Sequence, residues 1–294
     1  MTLVALLVAL VLERLATRFL RLREAGWLES YSRWAAAALG DRSGPVGMLL
    51  CLMLALLPVI PVAAIALVLA RAAPGLAWLG FASIVLVFSL GPRDLGEEVD
   101  EYLDRERAGD VEGAARAAAG IIEHDAAQRR DMRAEAVEDA VFVQANNRVF
   151  GVLFWFVLLG PAGLGPAAAW LFRVSDLLRR ASIARSRLRP EETGCAERLH
   201  FALAWAPARL LATSYAMAGS FEDARRGWRE LYGTLPSRLL ERNDQLLVHV
   251  GRGALGGVAD VDRGPVGSAM RIVRRALVFW LTAIALLSLV AWIA

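Results

Sequence analysis

The sequence contains no lysine: all 33 of its basic residues are arginine. That absence excludes a lysine-bearing phosphate loop, a Schiff-base lysine and a lysine general base. Cysteine is scarce. Only Cys51 and Cys195 occur, and Cys51 sits inside an apolar run, so no disulfide framework is expected. The three histidines, His124, His200 and His249, are remote in sequence from one another, and no zinc-ligand spacing exists. A net charge of +3 is too small to point to nucleic acid. No serine stands in a G-x-S-x-G elbow. Residues 251–256, GRGALG, spell G-x-G-x-x-G, but a helical pattern precedes them where a dinucleotide fold needs a strand.

What the chain does have is apolar sequence in long runs. It is 57% hydrophobic, against about 45–50% apolar for globular chains. No strand pattern or internal repeat is visible. The expected class is an all-α integral membrane protein of the bacterial inner membrane. It is a multi-span helical bundle with a re-entrant or broken helix and cytoplasmic amphipathic helices, in one membrane-embedded domain over 1–294. Spans are expected at 46–70, 76–91 and 276–294, with a short membrane helix at 1–12. Residues 93–148 read as a soluble helical excursion holding about half of the thirty acidic residues. Residues 197–251 read as interfacial or soluble helices. Pro58 and Pro61 should bend the first span. Residues 13–44 set six arginines beside Trp27, Tyr31 and Trp34, a mixture that suits a membrane interface.

The centre of interest is 137–180. A helix bearing Asp139, Asn146, Asn147 and Arg148 runs into an apolar segment, 149–172, broken at Gly160, Pro161 and Gly163. Arg173 and Asp176 follow, and Arg209 stands behind Pro207 in a further apolar stretch. Seven arginines over 173–200 favour a segment that re-enters on the side it left, by the positive-inside rule. Polar groups beside a broken membrane helix read as functional by default. Asp139, Asn146, Asn147, Arg148, Arg173, Asp176 and Arg209 are therefore the candidate ligand-binding set. Arginine can grip a phosphate or carboxylate in bidentate fashion, so the ligand expected is a small anion. A structural ion-pair network is the competing reading. No catalytic residue, metal or cofactor is indicated. The partners expected are the lipid bilayer, that anion, and either a protein partner bound through the acidic 97–112 surface or a second copy of the chain.

These residues also carry a resemblance. FGVLFWFVLLGPAGLGPAAAWLFRVSDLL and WAPARLLATSYAMAG, with the opening MTLVALLVALVLERL, resemble the AmpE family, regulatory membrane proteins of β-lactamase induction. AmpE is itself similar to adenosylcobinamide-phosphate synthase, an ATP-dependent amide-forming enzyme of cobalamin biosynthesis. In the synthase pattern, Val152-Leu153-Phe154-Trp155 stands at P-L-F-Y and Gly160-Pro161-Ala162-Gly163 near G-P-P-G. Phe172-Arg173 matches Y-R, Asp176 the aspartate of T-L-D-S-M, and Pro207-Ala208-Arg209 P-A-R. Val143, Gln144, Asn147 and Arg148 replace the Glu, Asn, Asp and Gly of E-N-x-x-D-G, and an amino-terminal H-P-V is absent. With two acids missing, the resemblance implies a non-enzymatic signalling protein that senses cell-wall recycling and shapes the antibiotic response. The synthase activity and a membrane scaffold are the alternatives.

The arginines on either side of the 46–91 hairpin predict that both flanks are cytoplasmic. Cysteines introduced at Gly75 and Gly109 should react from opposite sides of the membrane. Labelling of Gly109→Cys by an impermeant reagent from the periplasm would overturn this topology.

Overall fold

The computed structural model describes residues 26–40, 42, 44–72, 75–90, 94–122, 130–185, 194–234, 243–256 and 264–293. The membrane helix expected over 1–12 lies outside them. The described residues are helical, with no strand among them. Among the described residues two helices are long and apolar enough to cross a membrane, Arg133–Leu158 and Gly264–Val290. A third crossing exists if two helices bent by 46°, Gly44–Leu56 and Val59–Ala72, form one span. The chain is an all-α membrane protein.

It divides into two compact units. The first comprises Met1–Pro92, Asn147–Ala204 and Leu287–Ala294, the second Arg93–Asn146 and Trp205–Leu286. The first holds α1 (Gly26–Leu39), α2 (Gly44–Leu56), α3 (Val59–Ala72) and α4 (Leu76–Ser89). The second opens with α5 (Leu95–Arg107), α6 (Val111–Ile121) and α7 (Arg130–Ala145). The chain then returns to the first unit through α8 (Gly151–Leu158) and α9 (Gly165–Arg185). Helix α10 (Cys195–Ala218) leads back to the second, followed by α11 (Phe221–Thr234), α12 (Asn243–Leu255) and α13 (Gly264–Ile293).

In the first unit α9 is the central helix, packing against α1, α3, α4 and α8. Its pairing with α8 resolves the broken segment. Gly160 to Gly163 lie in the turn between the two half-helices, and Gly163 takes φ +76°, a conformation that suits glycine. A Cβ on Gly151 would strike the Phe172 ring, and one on Gly165 would lie 2.6 Å from the Phe156 carbonyl oxygen. Position 151 thus faces 172 and 156 faces 165, so the halves double back on each other.

A proline leaves the carbonyl one turn earlier in a helix without its usual donor. Pro58 does this to Leu54, and the Tyr31 hydroxyl donates to that carbonyl at 2.6 Å. Pro207 does it to Leu203, and the Trp155 indole nitrogen donates there at 3.0 Å. Both carbonyls are thus satisfied by aromatic side chains from neighbouring elements.

In the second unit local rules set the helix ends. Asp94 and Asp110 are N-caps whose side chains accept from the backbone nitrogens of Gly96 and Gly113. Glu97 and Glu98 open α5 and Arg105 and Arg107 close it, as its dipole favours. The GRGALG stretch is a packing device. A Cβ at Gly251 would meet the Phe142 ring at 2.6 Å, and one at Gly253 the Asp223 carbonyl oxygen at 2.6 Å. Gly256 ends the helix at φ +51°. Glycine here lets α12 press on α7 and α11.

The proline account predicts that Tyr31→Phe lowers stability in detergent by about 1–3 kcal/mol, the cost of an unsatisfied buried acceptor. In a Pro58→Ala background, where the backbone donor returns, the same change should cost little. Equal losses in both backgrounds would contradict the pairing.

Candidate functional site

The polar residues before the break lie on a widened turn. Asn146–Phe150 form a π-helical segment between α7 and α8, so the helix runs on where the sequence suggested a boundary. A π turn re-aims the side chains around it, and such turns recur at functional sites. Asn146, Asn147 and Arg148 are all buried there.

In the first unit the focal group is the carboxylate of Asp176, which is fully buried on α9. Its Oδ1 accepts from Arg179 Nη2 at 2.9 Å. Its Oδ2 accepts from Arg180 Nε at 2.9 Å and Arg173 Nη1 at 3.3 Å. The spacing makes this possible: residues three before, three after and four after Asp176 share its helix face. Burial alone would raise the Asp176 pKa. Arg180 and Arg179, with His200 and Arg173, outweigh it and hold the carboxyl well below the usual range.

His200, on α10, joins this cluster to the π segment. Its Nε2 lies 3.3 Å from Asn147 Oδ1 and 3.9 Å from Asp176 Oδ1. Its Nδ1 lies 3.1 Å from Ser175 Oγ. The Ser175 hydroxyl donates to the Phe172 carbonyl at 2.7 Å. Ser, His and Asp therefore meet here without forming a nucleophile. The hydroxyl proton is held by backbone, and Ser175 is 1% exposed.

The set does not suit a hard divalent cation. Both Asp176 oxygens are engaged by guanidinium groups, and such ions need accessible carboxylate oxygens. Among the described residues no three His, Cys, Asp or Glu side chains converge as ligands.

The other sequence candidates lie in the second unit. Asp139 accepts from Arg252 Nε at 2.6 Å, and Arg252 Nη2 lies 2.8 Å from Glu135. Arg209 donates to the Trp205 carbonyl at 2.9 Å and to Asn243 Oδ1 at 2.7 Å, and its guanidinium lies 4.3 Å from the Trp205 ring centre. Asn146 belongs to this unit as well. The structure thus gathers Asn147, Arg173 and Asp176 in one network and gives Asp139 and Arg209 partners of their own. Arg148 is near enough to Arg173 to act on its charge. Sequence reasoning passed over Arg179, Arg180, Ser175, His200 and Arg252. The helical spacing around Asp176 could have found the first two. Nothing local announces His200 or Arg252.

The sequence matches the model of one protein family, described as CobD/Cbib protein, over residues 6–238. The chain belongs to the CobD/Cbib family. Among curated relatives, it is 35% identical to the cobalamin biosynthesis protein CobD of Stutzerimonas stutzeri (strain A1501) over 159 residues. That alignment covers 53% of this chain and 50% of the relative. It is 29% identical to the protein of the same name from Chromobacterium violaceum over 203 residues, 66% of this chain and 62% of the relative. The chain therefore spans between half and two thirds of the curated relatives it matches. No solved structure matches it.

CobD/Cbib membership corrects the AmpE resemblance. Signalling in β-lactamase induction, cell-wall recycling sensing and a non-enzymatic antibiotic-response role fall with it. That reading gave the lost acids at positions 143 and 147 more weight than the motifs retained from Val152 to Arg209. Adenosylcobinamide-phosphate synthase, the second resemblance, agrees better with the family.

Asp176 generates a prediction in pH. Its folded pKa is depressed, so its contribution is complete above the unfolded value of about 3.9 and is lost as pH falls toward the folded one. At pH 7, Asp176→Asn should cost about 3–5 kcal/mol, because buried arginines lose their counter-charge. The stability gap between parent and variant, measured by thermal unfolding in detergent, should narrow below pH of about 4. A gap unchanged from neutral pH to pH 3 would refute the assignment.

Proposed function

We propose that this chain acts in cobalamin biosynthesis at the bacterial inner membrane, as an ATP-dependent amide-forming enzyme of the adenosylcobinamide-phosphate synthase type. The observation that supports it is membership of the CobD/Cbib family over residues 6–238. The residues that match the synthase pattern at 172–176 fall on the buried arginine face of α9. Amide formation from a carboxylate requires an activated carbonyl and a departing anion. A desolvated guanidinium array stabilises such charge more strongly than the same array in water.

In this reading Arg173 and Arg148 contact the anionic part of the substrate, and Asn147 donates or accepts at its polar edge. Asp176 is a positioning residue that holds Arg173 in place. Asp139, Asn146 and Arg209 are proposed separately, as ligand contacts within the second unit alone. A second reading has a specific basis: Asn147 and Arg148 stand where the synthase pattern has its aspartate and glycine. It is a family member that binds the corrinoid without turning it over.

Expression in a bacterium lacking its own synthase separates the two. The first reading predicts restored amide product in membranes, reduced at least about tenfold, or about 1.4 kcal/mol in transition-state terms, by Arg173→Gln. The second predicts retention of the corrinoid substrate without product. Neither product nor retention from well-inserted protein would remove both.

A further inference from the structure

Helix α1 has two unlike faces. Leu28, Ser32, Ala35, Ala36 and Leu39 are buried within the first unit. Opposite them Trp27 and Trp34 are 60% and 56% exposed, seven residues apart, with Ser30 and Arg33 between. The two indoles are held in place. Trp27 stacks on Trp170 of α9 with ring centres 6.0 Å apart, and Trp34 packs on Tyr31 at 5.7 Å. Tyr31 is in turn fixed by its hydrogen bond to Leu54.

This face differs in kind from the exposed faces of the apolar helices. On α2 and α3 the exposed large side chains are aliphatic or methionine: Val46, Leu49, Met53, Ile60, Ile65 and Val68 among them. Those suit hydrocarbon. On α1 they are indoles flanked by Arg33, which hydrogen-bonds Ser30 at 3.2 Å on the exposed side. Indole with arginine suits the head-group layer, where one end of each side chain is apolar and the other wet. At 14 residues α1 is too short to cross about 30 Å of hydrocarbon. It leads within five residues into α2, whose exposed large side chains are aliphatic or methionine.

We infer that α1 is an interfacial helix docked on lipid, with Trp27, Ser30, Arg33 and Trp34 in the head-group layer. The inference is independent of the biosynthetic reading. It has a consequence for the arginine cluster: Trp170, on which Trp27 stacks, lies one turn before Arg173, and Glu29 of α1 is within electrostatic range of Arg173. The helix that docks on lipid is thus fastened to the helix that carries the site.

Spin labels on the full chain test this, at Ser30→Cys and Ala37→Cys, which remove no aromatic residue. The protein is held in a bilayer of phosphatidylcholine with a minority of phosphatidylglycerol. A label at Leu52 serves as the hydrocarbon reference and one at Asp104 as the aqueous reference. The parent without added cysteine corrects for Cys51 and Cys195, both buried. Accessibility to oxygen and to a neutral nickel complex should place both labels between the references. Replacing Trp27 and Trp34 by serine should shift the Ser30 label toward the aqueous value. Values equal to either reference would overturn the inference. So would shielding from both probes with spin–spin broadening relieved by unlabelled protein, since that outcome means a second copy covers the face.

Discussion

One buried carboxylate shared by three guanidiniums constrains much of the first unit. Asp176 is fully buried, and an isolated ion there would carry a desolvation cost of several kcal/mol. Arg173, Arg179 and Arg180 offset that cost from the same helix. The arrangement needs α9 to stay helical through the site, since one bent turn would separate the four residues. It also needs neighbours that keep water out: Phe172 packs on His200 with ring centres 5.1 Å apart, and Leu178 fills the layer toward α1 and α2. His200 then passes the order on to Asn147, and so to the π turn.

The second constraint is that backbone groups at membrane depth must find partners. Pro58 and Pro207 each leave a carbonyl one turn earlier without its helical donor. Tyr31 and Trp155 supply the missing donors from other helices. These carbonyls thereby become points of attachment between elements. The doubled-back pair α8 and α9 follows the same logic, because its glycines permit contacts that any side chain would prevent.

Much of this was legible in the sequence, and what was not has a physical reason. Apolar runs, prolines and the Gly-Pro-Ala-Gly break announce bent and doubled-back helices, because length and backbone chemistry leave few alternatives. Asp176 and Arg173 stood out in the sequence, but Arg179 and Arg180, three and four residues on, were passed over although helical spacing puts them on the same face. His200 looked isolated because its partners, Asn147 and Ser175, are 53 and 25 residues away. Arg252 is 113 residues from Asp139, and no local pattern encodes such a pairing. The π turn was hidden as well, since it changes hydrogen-bond register without changing composition. The family went astray for a related reason: substitutions within one motif were read as loss of function when the rest of the pattern was retained.

The chain belongs to the CobD/Cbib family, and its residues 172–180 build one buried network of Asp176 with Arg173, Arg179 and Arg180. A cycle of thermal unfolding measurements in detergent on the parent, Asp176→Asn, Arg180→Gln and the double variant tests that account most directly. If Asp176 and Arg180 share one buried network, the double variant should lose less than the sum of the singles, by about 1–3 kcal/mol. Losses that add to within about 0.5 kcal/mol would mean separate, solvated charges, and the site would lose its organising group.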